Sequence, residues 1–320
     1  MPSDILVSIV IPTHDRWGSL ASLLETIPDR ADLEVVVVDD HSSTPCPDYR
    51  ATWKKTRLTT IEMPDDLRYA GNARNAGIAA SAGAFVFFAD SDDLIEPDGF
   101  TRLMDALPTF ESDILYGRIS SFIDGTDQLG RRHQAREWLL ARFAETGNDD
   151  FLCRMHVPYG QFIARAFLDR HAIRFGPTRV SNDVLFNADL ILAAPGAQVR
   201  DDIVYRVREG NASLTSTPSL AALRMRLKVL GDYNRRMRAA GRRHLRVCAA
   251  PYLVRAFRIS PLDGVRIIAE TARAGHPIVP PRWTILNAIH RRLSGPGDRA
   301  GPLASDVPPQ FPNRAADEGC

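Results

Sequence analysis

The sequence feature that most constrains the fold is a short apolar run that ends in carboxylates. Residues 85–89 are apolar and β-prone, and the next four residues are Asp90, Ser91, Asp92 and Asp93. The run predicts a buried strand that delivers these acids to the carboxyl edge of an α/β sheet, where such sheets bind ligands. Because side chains alternate along a strand, Asp90 and Asp92 point to the same side and suit Mg²⁺ or Mn²⁺. The alternative is that residues 91–93 cap the helix that follows, and for Asp93 this is the role we expect.

Strands and helices alternate through the first part of the chain. Short apolar runs predict strands at residues 7–11, 34–39, 59–63 and 85–89. Between them, apolar residues recur at helical spacing around residues 20–27 and 73–80. This order predicts a mostly parallel sheet with right-handed crossovers. A dinucleotide-binding fold is the rival, but the glycine-rich loop that it requires does not follow the first strand.

Charge is distributed unevenly along the 320-residue chain, although its formal net charge is only +1. Residues 220–292 contain 16 Lys or Arg and 3 Asp or Glu, whereas the preceding part is net acidic by about ten charges. Composition changes at residues 215–219 and again at 294–297. We therefore predict three regions: an α/β domain at 1–217, a basic helical region at 218–293 and a disordered tail at 294–320.

Neither targeting signals nor cysteine spacing point to a membrane span or to the cell exterior. The N-terminus has no basic stretch before an apolar core, and no run approaches the roughly 18 apolar residues of a membrane span. The four cysteines share no metal-binding or disulfide spacing, so free thiols are expected. These observations predict a cytoplasmic protein.

Four motifs follow one another along the first hundred residues. They are residues 7–16, which end in Pro12-Thr13-His14-Asp15-Arg16; residues 37–43, with Asp39-Asp40; residues 71–77, with Arg74; and Asp90-Ser91-Asp92-Asp93. In order and spacing they resemble the family 2 glycosyltransferases of the GT-A fold, over roughly residues 5–215. The resemblance implies a GT-A domain, an α/β fold with a Rossmann-like, mostly parallel sheet flanked by helices, followed here by an α-helical C-terminal appendage. It also implies an inverting transferase that uses a nucleoside-diphosphate sugar and a divalent cation.

The resemblance also implies where the nucleotide binds. In this family the ends of the first two strands hold the base, which points to Pro12, Thr13, His14 and Asp40. His14 stands where the family usually has Tyr or Phe, and its ring can still stack on a base. A carboxylate accepts the imide N–H of uracil or thymine, so a UDP- or dTDP-sugar is expected rather than a GDP-sugar. The alternative for Asp40 is a turn residue. Arg74 is expected to reach the nucleotide, and its alternative is a solvated helix charge.

The same resemblance implies which residues bind the metal and which residue acts as the general base. Asp90 is assigned to the ribose and metal, and Asp92 to the metal, which neutralises the departing diphosphate. Asp183 is expected to be the general base, because the family has an acidic pair there; Asn182 replaces the Glu of that pair. The alternative for Asp183 is a helix-start acid, capped by the preceding serine and favoured by the helix dipole. Arg208 stands where the family often has a His, and we expect it to neutralise diphosphate.

The acceptor and the partners are less constrained. Residues 155–162 are expected to border a saccharide or other hydroxyl acceptor, with His156 and Tyr159 as candidates. From residue 220, leucines at helical spacing alternate with basic residues, which predicts an amphipathic helix and further helices as far as residue 289. Three roles are open for this basic region: packing on the acidic domain, peripheral contact with an anionic membrane, or homodimerisation. No nucleic-acid partner is expected.

Two other functions compete with glycosyl transfer. A sugar nucleotidyltransferase would need a glycine-rich, basic triphosphate loop near its start, and the sequence has none. A non-catalytic module that binds nucleotide sugars would not need both Asp92 and Asp183. Because both carboxylates are retained, we favour the enzyme.

Overall fold

The computed structural model describes residues 4–126, 128–194, 196–210, 219–274 and 277–278. The chain divides into two compact units, Met1–Pro218 and Ser219–Cys320. This division lies one residue from the boundary predicted after residue 217. The predicted tail at 294–320, and the composition change at 215–219 apart from Ser219, lie outside the described residues.

Within the described residues, one eight-stranded sheet forms the centre of the first unit, in the order β3-β2-β1-β4-β7-β6-β8-β5. The strands are β1 (Val7–Thr13), β2 (Leu33–Asp39), β3 (Arg57–Glu62), β4 (Phe85–Phe88), β5 (Leu94–Ile95), β6 (Ile114–Ile123), β7 (Gln161–Ala164) and β8 (Gln198–Glu209). Strands β1 to β4 are parallel, as predicted, and β6 is parallel to β8. However, β7 runs antiparallel between β4 and β6, and β5 runs antiparallel to β8. The sheet is therefore mixed, with parallel pairs in the majority.

Helices flank this sheet. They are α1 (Trp17–Glu25), α2 (Tyr69–Ala80), α3 (Pro97–Ala106), α4 (Gln134–Thr146), α5 (Arg165–Arg170) and α6 (Asn182–Ala193). The predicted leucine face of α1 is buried in the core. Helix α2 uses small residues instead: a Cβ added at Gly77 would lie 2.3 Å from Val10 Cγ1. The glycine therefore lets α2 lie directly on β1.

The strand that ends in carboxylates is covered on both faces, which explains its continuous apolar run. Phe87 packs against Phe100 of α3, with ring centroids 5.1 Å apart. Its neighbour Phe88 points to the opposite face and packs against Phe175 and Phe186, at 4.9 and 5.6 Å. A strand fixed on both faces holds the turn that follows it in a defined position.

The second unit contains α7 (Leu220–Ala239), α8 (Ala250–Ile259) and α9 (Pro261–Arg273) among its described residues. The predicted amphipathic helix is α7, and its leucines pack with Leu253 and Ile267 in a small core. The further helices are present as far as Arg273, and the remaining predicted segment to residue 289 lies outside the described residues. None of the helices in the described part of the chain combines the length and the apolar character needed to cross a bilayer.

Candidate functional site

The turn that follows β4 is fixed to β8 by hydrogen bonds. The Asp93 N–H donates to the Asp90 carbonyl oxygen at 3.1 Å, which closes the turn. The Asp90 N–H donates to the Tyr205 hydroxyl (2.8 Å), and this hydroxyl donates to Asp93 Oδ2 (2.9 Å). The Arg208 N–H donates to Asp93 Oδ1 at 2.7 Å. Burial of Asp93, together with the charge of Asp90, raises the pKa of the Asp93 carboxyl well above its ordinary value.

The expected role of Asp93 as a helix cap is wrong. Helix α3 begins at Pro97, and the residue before it, Glu96, makes no side-chain cap hydrogen bond. The short strand β5 lies between Asp93 and this helix, so the Asp93 carboxylate bonds to β8 instead. Its two partners lie 112 and 115 residues further along the chain. No local sequence signal distinguishes these two roles.

Arg74 connects the acidic turn to the start of α6. Its Nη2 donates to Asp90 Oδ1 at 2.5 Å, and its Nη1 donates to Asn182 Oδ1 at 3.0 Å. The guanidinium lies over the Phe175 ring, 5.2 Å from the centroid. Because the Arg74 side chain is buried and paired, its alternative role as a solvated helix charge is wrong.

Gly71 permits this connection. A Cβ added there would lie 2.2 Å from the carbonyl oxygen of Gly176 and 2.9 Å from Asn182 Cβ. A side chain at this position would push α2 away from α6 and stretch the Arg74 contacts. Gly71, the first residue of the third sequence motif, is therefore required because α2 approaches the segment at Gly176 and the start of α6 closely.

Asp183 lies in the first turn of α6 and is half-buried. Burial raises the pKa of its carboxyl from 3.8 to about 6, although the charge of Arg74 acts in the opposite direction. Such a group can accept a proton near neutral pH. Ser181, which precedes the helix, makes no side-chain cap hydrogen bond. The cap part of the helix-start alternative is therefore wrong, and the base assignment stays a prediction.

The ends of β1 and β2 meet where the sequence predicts the nucleotide base. Pro12 and Thr13 are the last residues of β1, and the Asp40 N–H donates to the Thr13 carbonyl oxygen at 2.8 Å. The His14 ring donates from Nδ1 to the Asp40 carbonyl oxygen at 2.7 Å. The buried Thr13 hydroxyl has no hydrogen-bond partner among the residues described. The structure thus brings together all four residues predicted to hold the base.

The turn interpretation belongs to Asp39 rather than Asp40. Asp39 Oδ1 accepts hydrogen bonds from the backbone N–H and the hydroxyl of Ser42, at 3.0 and 2.6 Å. Asp40 Oδ2 instead accepts from the Tyr69 N–H at the start of α2 (2.9 Å). A carboxylate has about four acceptor sites, so Asp40 keeps capacity for a ligand.

Two arginines lie against Asp92. Arg16 Nη1 lies 3.1 Å from Asp92 Oδ2. Arg208 Nε donates to the Asp92 carbonyl oxygen at 2.7 Å, while its Nη1 pairs with Asp124 Oδ1 at 2.6 Å. Sequence reasoning identified Arg208 but not Arg16, although Arg16 is the last residue of the first motif.

Asp90 and Asp92 fit a divalent cation. One oxygen of each carboxylate bonds to an arginine, whereas Asp90 Oδ2 and Asp92 Oδ1 have no hydrogen bond within the described part of the chain. No group of three His, Cys, Asp or Glu side chains that could hold a metal occurs among the described residues. Mg²⁺ is commonly bound by one or two carboxylates together with substrate phosphates and water. The donor set therefore suits a cation that shares its ligands with a diphosphate.

The predicted acceptor segment touches this network through an aromatic stack. The Tyr159 ring lies parallel to the Tyr205 ring, with centroids 4.9 Å apart. His156 is half-buried, and burial lowers the pKa of its imidazole to about 4, which keeps the ring neutral. Tyr205 was not predicted as a site residue, because the partners of its hydroxyl, Asp90 and Asp93, lie 115 and 112 residues away in the chain.

Sequence comparisons place the chain among known proteins. The family model described as Glycosyl transferase family 2 matches residues 8–171, just over half of the chain. The succinoglycan biosynthesis protein ExoO of Rhizobium meliloti (strain 1021) is 26% identical over 220 residues, which cover 65% of this chain. The poly(ribitol-phosphate) beta-N-acetylglucosaminyltransferase TarP of Staphylococcus aureus (strain N315) is 22% identical over 209 residues, or 63% of this chain. In both cases the match spans 62% of the relative's own length.

Solved structures share the fold. TarS 1-349 of S. aureus in complex with UDP-GlcNAc superposes with a TM-score of 0.60 at 21% identity, covering 81% of this chain and 75% of TarS 1-349. The mannosyltransferase PcManGT of Pyrobaculum calidifontis, in complex with GDP-Man and Mn²⁺, gives 0.51 at 16% identity, covering 90% and 86%. The predicted α/β fold of the GT-A type is confirmed.

Proposed function

The chain belongs to glycosyltransferase family 2, and we propose that it is an inverting enzyme that moves a sugar from a nucleoside-diphosphate sugar to an acceptor hydroxyl. The observation that carries the proposal is the contact of Arg74 with both Asp90 and Asn182. It joins the acidic turn, which would hold the diphosphate, to the start of α6, where the proposed base Asp183 lies. A single displacement requires a leaving-group site and a base at one sugar, with the base on the face of the anomeric carbon opposite to the leaving group.

We propose a UDP- or dTDP-linked donor whose base lies at the ends of β1 and β2. The unpartnered Thr13 hydroxyl supports this position, because a buried polar group without a partner is costly and a ligand can satisfy it. Asp40 can accept the imide N–H of uracil or thymine. The TarS complex with UDP-GlcNAc supports a nucleotide-sugar donor for this fold.

We propose that Mg²⁺ or Mn²⁺ binds Asp90 and Asp92 together with the diphosphate. When bound, the cation neutralises charge that develops on the leaving group. The PcManGT complex with GDP-Man and Mn²⁺ supports this chemistry for the fold. Arg208, which binds the Asp92 carbonyl oxygen and pairs with Asp124, would contribute positive charge to the diphosphate in addition to the metal. In this proposal both the cation and Arg208 neutralise the charge of the diphosphate.

Asp183 is the base in this proposal. Its carboxylate takes the proton of the acceptor hydroxyl while the hydroxyl oxygen attacks the anomeric carbon and the bond from that carbon to the diphosphate breaks. A pKa of about 6 keeps Asp183 ionised at neutral pH and still able to hold a proton. Arg74 orients the start of α6 through Asn182, which stands in place of the family's Glu.

The acceptor that we propose is a saccharide or another hydroxyl-bearing glycan component. The relatives ExoO and TarP are named for succinoglycan biosynthesis and for transfer of N-acetylglucosamine to poly(ribitol-phosphate). Both names concern polymers, which supports a glycan or polyol chain as the acceptor class.

We also propose that the second unit contacts an anionic membrane surface. Five of the ten exposed large apolar residues in the described chain lie on α8 and α9: Val254, Phe257, Ile259, Leu262 and Val265. Exposed arginines lie on the same helices, and Arg255 and Arg258 have no ion pair among the described residues. Apolar side chains interspersed with arginine are typical of helices that lie in a membrane interface.

A thermal-shift screen tests the proposed function. A ligand that binds only the folded state raises its stability, so UDP or dTDP should raise the melting temperature with Mn²⁺ and less so with EDTA. The Asp92→Asn variant is the matched control and should lose the difference between Mn²⁺ and EDTA. If no nucleoside diphosphate raises the melting temperature, the proposal is wrong; binding without turnover of any donor would favour a non-catalytic module.

A further inference from the structure

Asp93 and Tyr205 have no role in the chemistry proposed above, yet both are almost fully buried. Their exposed fractions are 4% and 0%. Burying a carboxyl group beside two other carboxylates is unfavourable unless its hydrogen bonds offset the loss of water. The contacts of the pair show what this arrangement achieves.

The pair holds both ends of the acidic turn to one strand. At the first end, the Tyr205 hydroxyl accepts the Asp90 N–H; at the last end, Asp93 Oδ1 accepts the Arg208 N–H. The hydrogen bond from the Tyr205 hydroxyl to Asp93 Oδ2 joins the two ends. In the middle, Arg208 Nε binds the Asp92 carbonyl oxygen. Both residues with a proposed metal-binding carboxylate are therefore held at their backbone by β8.

Strand β8 is itself firmly placed at this point. Tyr205 pairs with Ile95 of β5, its ring stacks on Tyr159, and it lies 6.1 Å from the Phe87 ring in the core. The hydroxyl therefore projects from a side chain whose ring cannot shift without disturbing the packing of the core.

Two arginines act on the turn from different elements. Arg16, at the start of α1, binds the Asp92 carboxylate, and Arg74, on α2, binds the Asp90 carboxylate. Each ion pair favours its own carboxylate position, and nothing in either pair fixes the distance between the two acids. The backbone hydrogen bonds to β8 supply that constraint.

We propose that Asp93 and Tyr205 are positioning residues that hold the turn so that the Asp90 and Asp92 carboxylates meet at one divalent cation. The inference rests on the proposed function, because it takes these two carboxylates as the metal ligands. Groups that orient metal ligands commonly affect metal affinity or activity 10- to 100-fold when they are removed.

Tyr205→Phe tests the inference, because it removes the hydroxyl and keeps the stacked ring. UDP affinity is measured by calorimetry in Mn²⁺ and in EDTA, and the ratio of the two Kd values gives the metal enhancement. We expect Tyr205→Phe to reduce this enhancement about 10-fold or more, with the affinity in EDTA unchanged. A purely structural role would lower the melting temperature and leave the enhancement of the folded protein intact.

Tyr116→Phe is the matched control, since Tyr116 is a buried tyrosine of β6 in the same sheet and should keep the wild-type enhancement. Asp93→Asn is the second variant: its amide can still accept the Arg208 N–H but cannot also accept the Tyr205 O–H, so an intermediate loss is expected. Circular dichroism at the assay temperature establishes that each variant is folded. Full enhancement in both Tyr205→Phe and Asp93→Asn would overturn the positioning role. A wild type without any enhancement would overturn the proposed metal function, and the inference with it.

Discussion

Turnover should depend on pH through the Asp183 carboxyl. Its pKa of about 6 means that the free enzyme has this group half-ionised at pH 6. Because the base must be ionised, kcat/KM should fall about tenfold for each pH unit below 6 and level off above about pH 7. Asp183→Asn should lower kcat by a factor of about 10²–10⁴ and remove this acid limb, with UDP affinity in Mn²⁺ unchanged.

The same pKa shift predicts a gain in stability when the charge is removed. The difference between 3.8 and about 6 corresponds to about 3 kcal/mol that disfavours the ionised group in the folded state. This penalty is absent well below pH 3.8, where the group is protonated in both states; it develops between pH 3.8 and about 6 and is complete above that range. Since Asp183 keeps some exposure, we expect Asp183→Asn to raise the free energy of unfolding by about 1–2 kcal/mol at pH 7.5 and by little at pH 4.

Asp98→Asn is the matched control, because Asp98 is an exposed acid in the first turn of α3. An ordinary helix-start acid interacts favourably with the helix dipole, so this variant should lose about 0.3–1 kcal/mol and keep full turnover. Urea unfolding at the two pH values and initial rates from pH 5 to 9 provide the measurements. If Asp183→Asn behaves like Asp98→Asn, Asp183 is a helix-start acid and not the base.

Three other perturbations should have separable effects. Asp92→Asn should abolish the Mn²⁺ dependence of UDP binding in calorimetry, and an unchanged dependence would exclude Asp92 as a metal ligand. Gly71→Ala should lower the free energy of unfolding by about 1–3 kcal/mol in urea, because its Cβ would meet the Gly176 carbonyl oxygen; Gly18→Ala in α1, with open space around it, should not be destabilising. Leu262→Ser should weaken co-sedimentation with anionic vesicles, which should also weaken as salt rises. Leu129→Ser, at a similarly exposed leucine of the first unit, should not, and equal losses in both variants would argue against a membrane face on α8 and α9.

Local sequence patterns were sufficient for the first half of the sheet. Strands β1, β2 and β4 are mostly apolar, and the βαβ order favours a parallel arrangement. The strands after β4 were not predicted. The first half of β8 contains three consecutive charged residues, Arg200, Asp201 and Asp202, which interrupt the apolar pattern of a strand. The antiparallel insertion of β7 between β4 and β6 is a matter of topology that no local pattern encodes.

In the site, too, the sequence identifies residues within local motifs but does not predict contacts between distant segments. Motif residues such as Asp90 and Arg74 could be identified in the sequence because each stands in a short, ordered segment. Their actual contacts depend on register between distant segments: Arg74 meets Asn182 at a separation of 108 residues, and Asp93 meets Tyr205 at 112. Asp93 was therefore assigned to a local cap, since its real partners are set by the position of β8.

The single displacement at the anomeric carbon is tested most directly by the stereochemistry of the product. Donor sugars linked to UDP or dTDP are incubated with the wild type and Mn²⁺, and the configuration of the released or transferred sugar is read by proton NMR at early times. In the absence of the natural acceptor, water slowly attacks the same anomeric carbon. The stereochemistry can therefore be read without knowing the acceptor. We expect the product to have the configuration opposite to that of the donor, and we expect Asp183→Asn to form little of this product. A product that retains the donor configuration would contradict a single displacement with Asp183 as the base.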